Sequence, residues 1–446
     1  MEKDRSVCVL YTDAVCNLKC TYCFIDKNPA LVRIDKLLDE SFKGDYYYEF
    51  AKKVFPNPQQ LTEVQIWGGE PTLYLERTHY TISKLLGYYP NLSKFMFSTN
   101  FTPDDCVDKV EKFVDTICQD RKRNVELVIQ LSIDGPTYIN DINRGLGVTE
   151  KFTKNFALLV SRINDITNRN PNITIRAHFK PTLDGISIRK LQDRDSVYKY
   201  FKFLESYQDI SRQVVSERFT FDPSVPNTAC PSPHTKEEGL LFTNLCKITR
   251  ELEAENRENK IFDYYSCITP FAGGREIDKK NCYNCGNCGT GRIVVGLLPN
   301  DMISCCHNGF TELLTDYKKY CMENLDNSDR TIDFNLFDSR TVENAMVFPY
   351  KNLGLYERQS ELFCVDRECF QLVNIVSEIQ LLARNRQIDS KYTEPKEAIA
   401  AANFILARTA YCIRDNLGTT GSKTIIPPGL LKLLLNGARE YIEEGC

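Results

Sequence analysis

The first half of the sequence predicts an α/β fold in which parallel strands close into a full or partial barrel. Stretches with strand character alternate with helix-like stretches, and several strands are continuous apolar runs, which is typical of strands buried on both faces of a parallel sheet. Repeated strand–helix units of this kind build barrels. The predicted strands span residues 7–11, 63–67, 94–98, 126–133, 173–180 and 218–222, and the helix-like segments span residues 40–54, 78–86, 104–118, 150–164 and 196–205.

The second half of the sequence has a different character. A Pro- and Ser-rich stretch over residues 223–233 predicts a linker, and a charged helix is expected over about residues 235–259. The following Cys- and Gly-rich stretch is too rich in turn residues to bury much apolar surface, so it needs a metal to hold it together. We expect three parts: a barrel over residues 1–234, a bridging helix and a small Cys-rich domain over 235–375, and a helical tail over 376–446.

The composition narrows the class of protein. The chain has 446 residues, 42% of them hydrophobic, and a net charge of −4, so nothing indicates binding to nucleic acid. No apolar run reaches the roughly 18 residues that a membrane span needs. The N-terminal residues do not resemble a signal peptide, and 19 cysteines without one indicate metal–sulfur chemistry in a reducing compartment. We therefore predict a cytoplasmic protein.

Three cysteines follow the first predicted strand at C-x3-C-x2-C spacing: Cys16, Cys20 and Cys23. Three thiolates this close together can hold three irons of a [4Fe–4S] cube and leave the fourth iron open to chemistry. Structural zinc is the first alternative, but zinc needs four ligands and no further Cys or His follows until His79. Disulfides are the second alternative, which the absence of an export signal argues against. Cys8, on the first strand itself, is expected to be a core residue.

A Gly-Gly-Glu-Pro motif follows the second predicted strand. Gly68 and Gly69 allow a backbone to approach a ligand closely, and the carboxylate of Glu70 can accept hydrogen bonds from an amine. Residues 98–100, Ser-Thr-Asn, offer polar groups after the third strand. Because the loops at the carboxyl ends of barrel strands build active sites, these groups are candidates for one site. A tight turn is the alternative for each motif.

The fourth predicted strand ends in Ser-Ile-Asp-Gly-Pro, which places a hydroxyl and a carboxylate two residues apart. Ser132 and Asp134 could hold a ribose, since the carboxylate accepts from sugar hydroxyls. Arg144 follows within a short loop and could pair with a carboxylate in a bidentate manner. Taken singly, each of these residues equally fits a turn or a cap.

Taken in order along the chain, these motifs resemble those of the radical S-adenosylmethionine (SAM) enzymes. Their signature, C-x3-C-x-aromatic-C after the first strand of a partial (β/α)6 barrel, is matched by Cys16, Cys20, Tyr22 and Cys23. In that family the methionine end of SAM chelates the open iron, and electron transfer splits SAM into methionine and a 5′-deoxyadenosyl radical that abstracts a substrate hydrogen. The resemblance covers residues 7–222 and implies a TIM-like partial barrel with a [4Fe–4S] cluster and SAM as cofactors.

The resemblance also implies roles for single residues. The three cysteines would hold the catalytic cluster, and Glu70, in the loop that contains Gly68 and Gly69, would meet the amino group of SAM. Arg144 would hold the carboxylate of SAM. Ser132 and Asp134 would hold its ribose, and Tyr22 would lie near the adenine.

The Cys-rich stretch resembles the SPASM or twitch extension of that family, which carries one or two auxiliary [4Fe–4S] clusters. The usual first half has two cysteines five residues apart, then a Cys-Gly-x-Gly start to a β-hairpin that ends in another cysteine. This layout is matched by Cys282, Cys288, Gly289, Gly291 and Cys305. A zinc knuckle is the alternative. The candidate ligands are Cys282, Cys285, Cys288, Cys305, Cys306, Cys321, Cys364 and Cys369.

Two departures from the usual extension limit this interpretation. Its second half normally holds four closely spaced cysteines, whereas this chain has Cys364 and Cys369 with Cys321 upstream, so the spacing supports one auxiliary cluster rather than two. The fourth ligand of that cluster would be Cys364 or Cys369. Sulfatase-maturing relatives have an aspartate base after the hairpin cysteine, where this chain has Cys306. Sulfatase maturation is therefore not the expected activity.

The resemblance implies a radical SAM oxidoreductase that modifies or crosslinks a peptide or protein, forming thioether or carbon–carbon bonds in a ribosomally made peptide. The partners expected are the substrate, an electron donor such as flavodoxin or ferredoxin, and a separate leader-binding protein. The first alternative is a radical SAM enzyme acting on a small molecule or cofactor precursor. The second is a non-catalytic iron–sulfur or zinc scaffold, which would not need the Gly-Gly-Glu-Pro and Ser-Ile-Asp-Gly-Pro motifs in this order.

Overall fold

A computed structural model of the protein describes residues 6–23, 30–120, 122–182, 184–214, 216–223, 294–299, 301–304 and 347–349, together with scattered positions between 241 and 256. The strands are β1 (Val7–Tyr11), β2 (Glu63–Trp67), β3 (Lys94–Thr99), β4 (Val125–Leu131), β5 (Ile173–Phe179), β6 (Phe219–Asp222), β7 (Val294–Leu298), β8 (Met302–Ser304) and β9 (Val347–Pro349). The helices are α1 (Ala30–Phe42), α2 (Tyr46–Val54), α3 (His79–Tyr88), α4 (Cys106–Ile117), α5 (Thr137–Arg144), α6 (Val148–Arg169), α7 (Gly185–Lys190) and α8 (Arg194–Ser211), with 3-10 turns at Pro71–Leu73 and Leu75–Thr78.

The strands β1 to β6 form a parallel sheet in which neighbours in sequence are neighbours in space. The full order of the described sheet is β6-β5-β4-β3-β2-β1-β7-β8-β9. Helices connect the parallel strands, as parallel pairing requires. The prediction of an α/β fold with a parallel sheet is confirmed, and each of the six predicted strands forms within two residues of its expected ends.

The sheet is curved, and its edges are not joined in the part of the chain that the structure describes. The Nζ of Lys180, which follows β5, lies 4.4 Å from the ring centroid of Trp67 at the end of β2. Side chains from β2 and β5 can meet only if the two strands between them bend away. Strands β6 and β9 are the two edges of this sheet. The architecture is consistent with a partial TIM-like barrel.

Alternation along the strands separates a helix-covered face from an inner face. On β1, Cys8 and Leu10 join the large apolar cluster under the helices, whereas Val9 and Tyr11 join a smaller cluster on the inner face. Cys8 has no exposed surface, so its prediction as a core residue is confirmed. The inner face also carries half-buried polar residues such as Gln130 on β4. The expectation that β4 is apolar on both faces is therefore wrong.

A hairpin of β7 and β8 extends the sheet beyond β1. Strand β7 pairs parallel to β1, and β8 pairs antiparallel to β7. The hydroxyls of Tyr11 and Ser304 are 2.8 Å apart and join β1 to β8. A Cβ at Gly296 would lie 2.2 Å from the Ser304 Oγ, so this crossing needs a glycine.

Two predictions of local structure are wrong. The predicted helix over residues 40–54 is two helices, α1 and α2, separated where Gly44 adopts φ +74°. Arg144 lies at the end of α5 and not in a loop. The sequence did not reveal α5 because its buried face includes Asn140 and Asn143, which weaken the apolar periodicity.

Several predicted features lie outside the described residues. The charged helix predicted over 235–259 is described at only some positions, and each of those between 241 and 255 is helical. Among the described helices, none has the length and apolar character that a membrane span requires. The tail over 376–446 and nearly all of the linker lie outside, as do the auxiliary-cluster candidates Cys282, Cys285, Cys288, Cys305, Cys306, Cys321, Cys364 and Cys369.

Candidate functional site

The three cysteines of the first motif lie on one loop that follows β1. This cysteine loop, residues 12–23, contains no helix or strand. Cys16, Cys20 and Cys23 are half-buried thiols and not disulfides, and the Cys23 N–H donates to the Cys20 carbonyl at 3.1 Å in a turn. Three accessible thiols on one loop are the donor set that a [4Fe–4S] cube takes from a protein when one iron is left open.

A single metal ion is a poorer fit to the same residues. Within the described ranges, no three Cys, His, Asp or Glu side chains come together as the ligands of one ion would. Zinc needs ligands that converge on one point, whereas the thiolates of a cube each bind a different iron. The three thiols of the loop by themselves leave a structural zinc ion one ligand short.

The carboxylate of Asp13 joins the cysteine loop to the Gly-Gly-Glu motif. Its Oδ1 accepts from the backbone N–H groups of Val15 at 3.0 Å, Gly69 at 3.2 Å and Glu70 at 3.4 Å. The N–H of Glu70 also donates to the Val15 carbonyl at 2.9 Å. Asp13 is fully buried. The base of the cysteine loop is thus held against the loop that follows β2.

The two glycines of the motif permit this contact between loops. A Cβ at Gly69 would lie 2.0 Å from the Val15 carbonyl oxygen, and a Cβ at Gly68 would lie 2.9 Å from the Asp13 carbonyl oxygen. No side chain fits at such distances, so both positions need glycine. The motif predicts that the glycines let a ligand approach the backbone; in the structure they accommodate the chain's own cysteine loop.

The charge state of Asp13 follows from its surroundings. Burial raises the pKa of Asp13 to about 8, and the nearby Glu70 carboxylate adds to the rise. The Thr12 Oγ1 lies 2.6 Å from Asp13 Oδ2 and 3.3 Å from the Trp67 carbonyl oxygen. The Thr12 hydroxyl donates to Asp13 Oδ2 and lowers the pKa, but burial outweighs this bond.

Glu70 is buried and held by protein donors. Its Oε1 accepts from the N–H and hydroxyl of Thr72 at 3.1 and 2.6 Å and from the Thr99 hydroxyl at 2.5 Å, while Oε2 accepts from the Asn100 N–H at 2.6 Å. Burial raises the pKa of Glu70 despite these donors. Because a carboxylate offers about four acceptor positions, Oε2 keeps one position that a ligand amine could use.

Asp134 forms a second connection at the other end of the cysteine loop. It is fully buried, and it accepts from the Tyr22 hydroxyl at 2.5 Å, Arg144 Nη2 at 2.7 Å, the Thr182 N–H at 3.0 Å and Asn143 Nδ2 at 3.4 Å. All of its acceptor positions meet protein donors. The predicted contact of Asp134 with a ribose stays a prediction, and it would require one of these donors to move.

Arg144 retains hydrogen-bonding capacity beyond its ion pair with Asp134. Burial alone would lower its pKa, but the charges of Asp134, Tyr22 and Cys20 outweigh burial and hold the pKa above the usual range. Its Nε is buried and has no hydrogen-bond partner in the described structure. An unsatisfied buried donor is costly, so this atom indicates that an acceptor belongs beside it.

Ser132 is the remaining predicted residue at the strand ends. Its N–H donates to the Thr99 carbonyl at 2.7 Å, which ties the ends of β3 and β4 together. The side chain is half-buried, so the hydroxyl is not enclosed by the protein.

The structure brings the predicted barrel residues together at the carboxyl ends of β1 to β4. It also reveals contributors that sequence reasoning missed: Asp13, whose acidic side chain directly after an apolar strand was the only signal, and Asn143, whose carbonyl accepts from the Thr21 N–H at 2.8 Å. On the inner face, His178 lies on β5 near Lys180. Burial lowers the pKa of His178 to about 4, with the Lys180 charge adding to the effect. At neutral pH this histidine is uncharged.

Comparisons with known proteins give a distant structural match. No protein-family model matches the sequence, and no curated protein matches it. The chain is similar to solved structures of the anaerobic sulfatase-maturating enzyme anSMEcpe. The native form with bound AdoMet has a TM-score of 0.38 and 19% identity, covering 68% of this chain and 74% of that one. The hexahistidine-tagged form with bound AdoMet has 0.38 and 18%, covering 68% and 72%.

A third structure, native anSMEcpe with bound AdoMet and the Cp18Cys peptide, has a TM-score of 0.38 and 18% identity, covering 68% of this chain and 74% of that one. A match this distant assigns no activity to the chain. The function proposed below therefore rests on the cysteine loop and the strand-end residues that brace it.

Proposed function

We propose that this protein is a radical SAM enzyme that oxidatively modifies or crosslinks a peptide or protein. The observation that carries the proposal is the bracing of the cysteine loop: Asp13 ties its start to the Gly-Gly-Glu loop, and Asp134 ties its end to Arg144. The same contacts bring thiols, a buried carboxylate and a buried guanidinium to one end of the sheet. When bound, the cluster and SAM supply one-electron cleavage of SAM to methionine and a hydrogen-abstracting 5′-deoxyadenosyl group.

Each residue of the site has a separate part in the proposal. Cys16, Cys20 and Cys23 hold the cluster. Arg144 directs its unsatisfied donor to the carboxylate of SAM, because a guanidinium pairs with carboxylates through a fixed fork. Glu70 offers the remaining acceptor position of Oε2 to the amino group.

The other end of SAM involves two further residues. Ser132 offers its half-buried hydroxyl to the ribose. Tyr22 would lie near the adenine while its own hydroxyl stays bonded to Asp134. The bond to Asp134 fixes the direction of the Tyr22 ring, which would pre-orient that surface before SAM arrives.

The peptide substrate and the auxiliary clusters are the less direct part of the proposal. They rest on the spacing of Cys282, Cys288 and Cys305, whose extension supplies one or two clusters able to accept the electron released in a net oxidation. Flavodoxin or ferredoxin would donate electrons to the first cluster, and a separate protein would bind a peptide leader. A small molecule or cofactor precursor as substrate is the competing assignment.

The test of the first part is the fate of SAM. Anaerobically reconstituted wild-type protein should bind iron and sulfide and should release 5′-deoxyadenosine from SAM in the presence of dithionite. Cys16→Ala should lose the product and part of the iron. Cys118→Ala is the matched control, because Cys118 lies at the end of α4 and is nearly fully buried away from the cysteine loop. Wild-type protein with full iron and no 5′-deoxyadenosine would refute the proposal.

The test of the second part is the substrate. Co-expression with a short Cys- or aromatic-rich peptide encoded beside the enzyme should yield a peptide lighter by two hydrogens for each bond formed, as measured by mass spectrometry. An unmodified peptide together with active SAM cleavage would favour the small-molecule alternative. A protein that is inactive in both tests would favour the alternative of a non-catalytic iron–sulfur or zinc scaffold.

A further inference from the structure

Asn100 connects the third strand to the first cysteine of the motif. It follows β3 directly and is only 5% exposed. Its Nδ2 lies 3.6 Å from the Sγ of Cys16 and 2.9 Å from the Oδ1 of Asn17. The distance to sulfur is suitable for an N–H···S hydrogen bond, which is longer than a bond to oxygen because sulfur is larger.

The orientation of the Asn100 amide is determined by its neighbours. Its Oδ1 accepts from the N–H and the hydroxyl of Thr102, at 3.0 and 2.6 Å. A backbone N–H can only donate, so the group that faces it must be the amide oxygen, and the NH2 group must face Cys16. Asn17 closes the ring of contacts, since its Nδ2 donates to the Thr102 hydroxyl at 2.8 Å.

Asn100 is also held from its backbone. Its own N–H donates to Glu70 Oε2 at 2.6 Å. The residue is thereby fixed between the carboxylate proposed to meet SAM and a cysteine proposed to hold the cluster. A donor held by this many contacts cannot turn away from the sulfur without breaking several of them, so it is oriented before any cluster binds.

We propose that Asn100 raises the reduction potential of the cluster by donating a hydrogen bond to the Cys16 thiolate. The inference rests on the proposed function, because it requires a cluster on the cysteine loop. Reduction adds negative charge to the cluster and its sulfurs, and an N–H directed at a sulfur stabilises that charge. Hydrogen bonds to the sulfurs are among the factors that set cluster potentials. Asn100 thus makes the cluster easier to reduce by a physiological donor.

A backbone donor also reaches this sulfur. The N–H of Leu18 lies 3.4 Å from Cys16 Sγ. A side-chain substitution at position 100 leaves that bond in place. The effect of Asn100 can therefore be measured as a change superimposed on a constant backbone contribution.

The test is a redox titration of the reconstituted holoprotein followed by electron paramagnetic resonance. Asn100→Leu removes the donor without adding charge, and Asn100→Asp keeps an acceptor for Thr102 while removing the donor. Both should shift the midpoint potential of the cluster to more negative values at unchanged iron content. The control is Asn155→Leu, because Asn155 is also buried and donates to the carbonyls of Phe101 and Pro103 without touching Cys16. The control should titrate as wild type.

The outcomes separate this inference from the proposed function. Wild-type potentials in both Asn100 variants, or an equal shift in Asn155→Leu, would overturn the role of Asn100 while leaving the enzyme assignment intact. Wild-type protein that holds no cluster would instead contradict the proposed function. If the Asn100 variants lose the cluster, Asn100→Ala takes their place. Its smaller side chain still has no N–H for Cys16, so an unshifted potential would overturn the inference.

Discussion

The buried carboxyl of Asp13 provides the sharpest test of the site's energetics. Burial raises its pKa from an ordinary value of 3.8 to about 8, although the hydrogen bond that the Thr12 hydroxyl donates to Oδ2 acts in the opposite direction. Asparagine has nearly the same shape as this neutral acid. Its oxygen can keep the three backbone N–H donors, and its amide can donate to Thr12. We therefore expect Asp13→Asn to fold and to become relatively more stable than wild type as the pH rises.

The magnitude follows from proton linkage. Between pH 3.8 and about 8, Asp13 is protonated in the folded chain and ionised in the unfolded chain, so the folded state binds more protons. Its contribution to stability is complete below the lower value and is lost as the pH rises toward the upper one, at about 1.4 kcal/mol per pH unit. From pH 5.5 to 7.5 wild type should lose about 3 kcal/mol that Asp13→Asn retains. A constant penalty of about 1–3 kcal/mol applies to the variant if its second amide hydrogen has no acceptor.

The assay is urea unfolding at pH 5.5, 6.5 and 7.5, followed by the fluorescence of Trp67, the single tryptophan of the chain. Trp67 reports on this region, because the Thr12 N–H donates to its carbonyl at 2.8 Å. Asp193→Asn is the control: its hydrogen bond with Ser196 lowers the pKa of Asp193, so it is ionised in both states across this range. A free-energy difference between Asp13→Asn and wild type that stays constant or turns against the variant with rising pH would show that Asp13 is ionised, refuting the reasoning.

Three further predictions concern the site and the core. Gly69→Ala should abolish cluster binding, measured as iron content, because its Cβ would overlap the Val15 carbonyl. The control is Gly87→Ala, which lies at an open helical position and should stabilise the fold by about 0.5–1 kcal/mol. Arg144→Lys should weaken SAM binding by about 10-fold or more in calorimetry, since an ammonium cannot replace the guanidinium fork, and an unchanged Kd would contradict its role. Phe152→Ala should cost about 3–5 kcal/mol in urea unfolding, because its ring is fully buried against other aromatic rings; a cost below about 1 kcal/mol would contradict this.

The strands were predictable because their signal is local. Runs of apolar residues such as those of β4 occur within a few positions of one another, and the six parallel strands form where the sequence indicates. Helix α5 was not predictable, because Asn140 and Asn143 on its buried face are satisfied by hydrogen bonds and not by apolar packing. Asn143 donates to Asp184 and Ser187 at 3.1 and 3.0 Å. The periodicity of apolar residues reveals apolar burial, but it does not reveal buried polar residues of this kind.

The candidate site divides in the same way. The spacing of Cys16, Cys20 and Cys23 and the presence of acceptors and donors after each strand are properties of the chain as written. The hydrogen-bond partners of those side chains cannot be read from the sequence. Asp134 meets Arg144 and Tyr22 only because α5 and the cysteine loop come together at the end of β4.

The sequence by itself determined the parallel α/β framework and the residues gathered at its carboxyl edge, since apolar runs and motif spacing are encoded within short stretches. Only the tertiary structure decided that Gly69 makes room for the cysteine loop, that Asp13 and Asp134 brace this loop, and that Asn100 faces the Cys16 sulfur. The reason is physical: hydrogen bonds and close packing depend on positions in space, and these contacts join residues more than 50 positions apart in sequence.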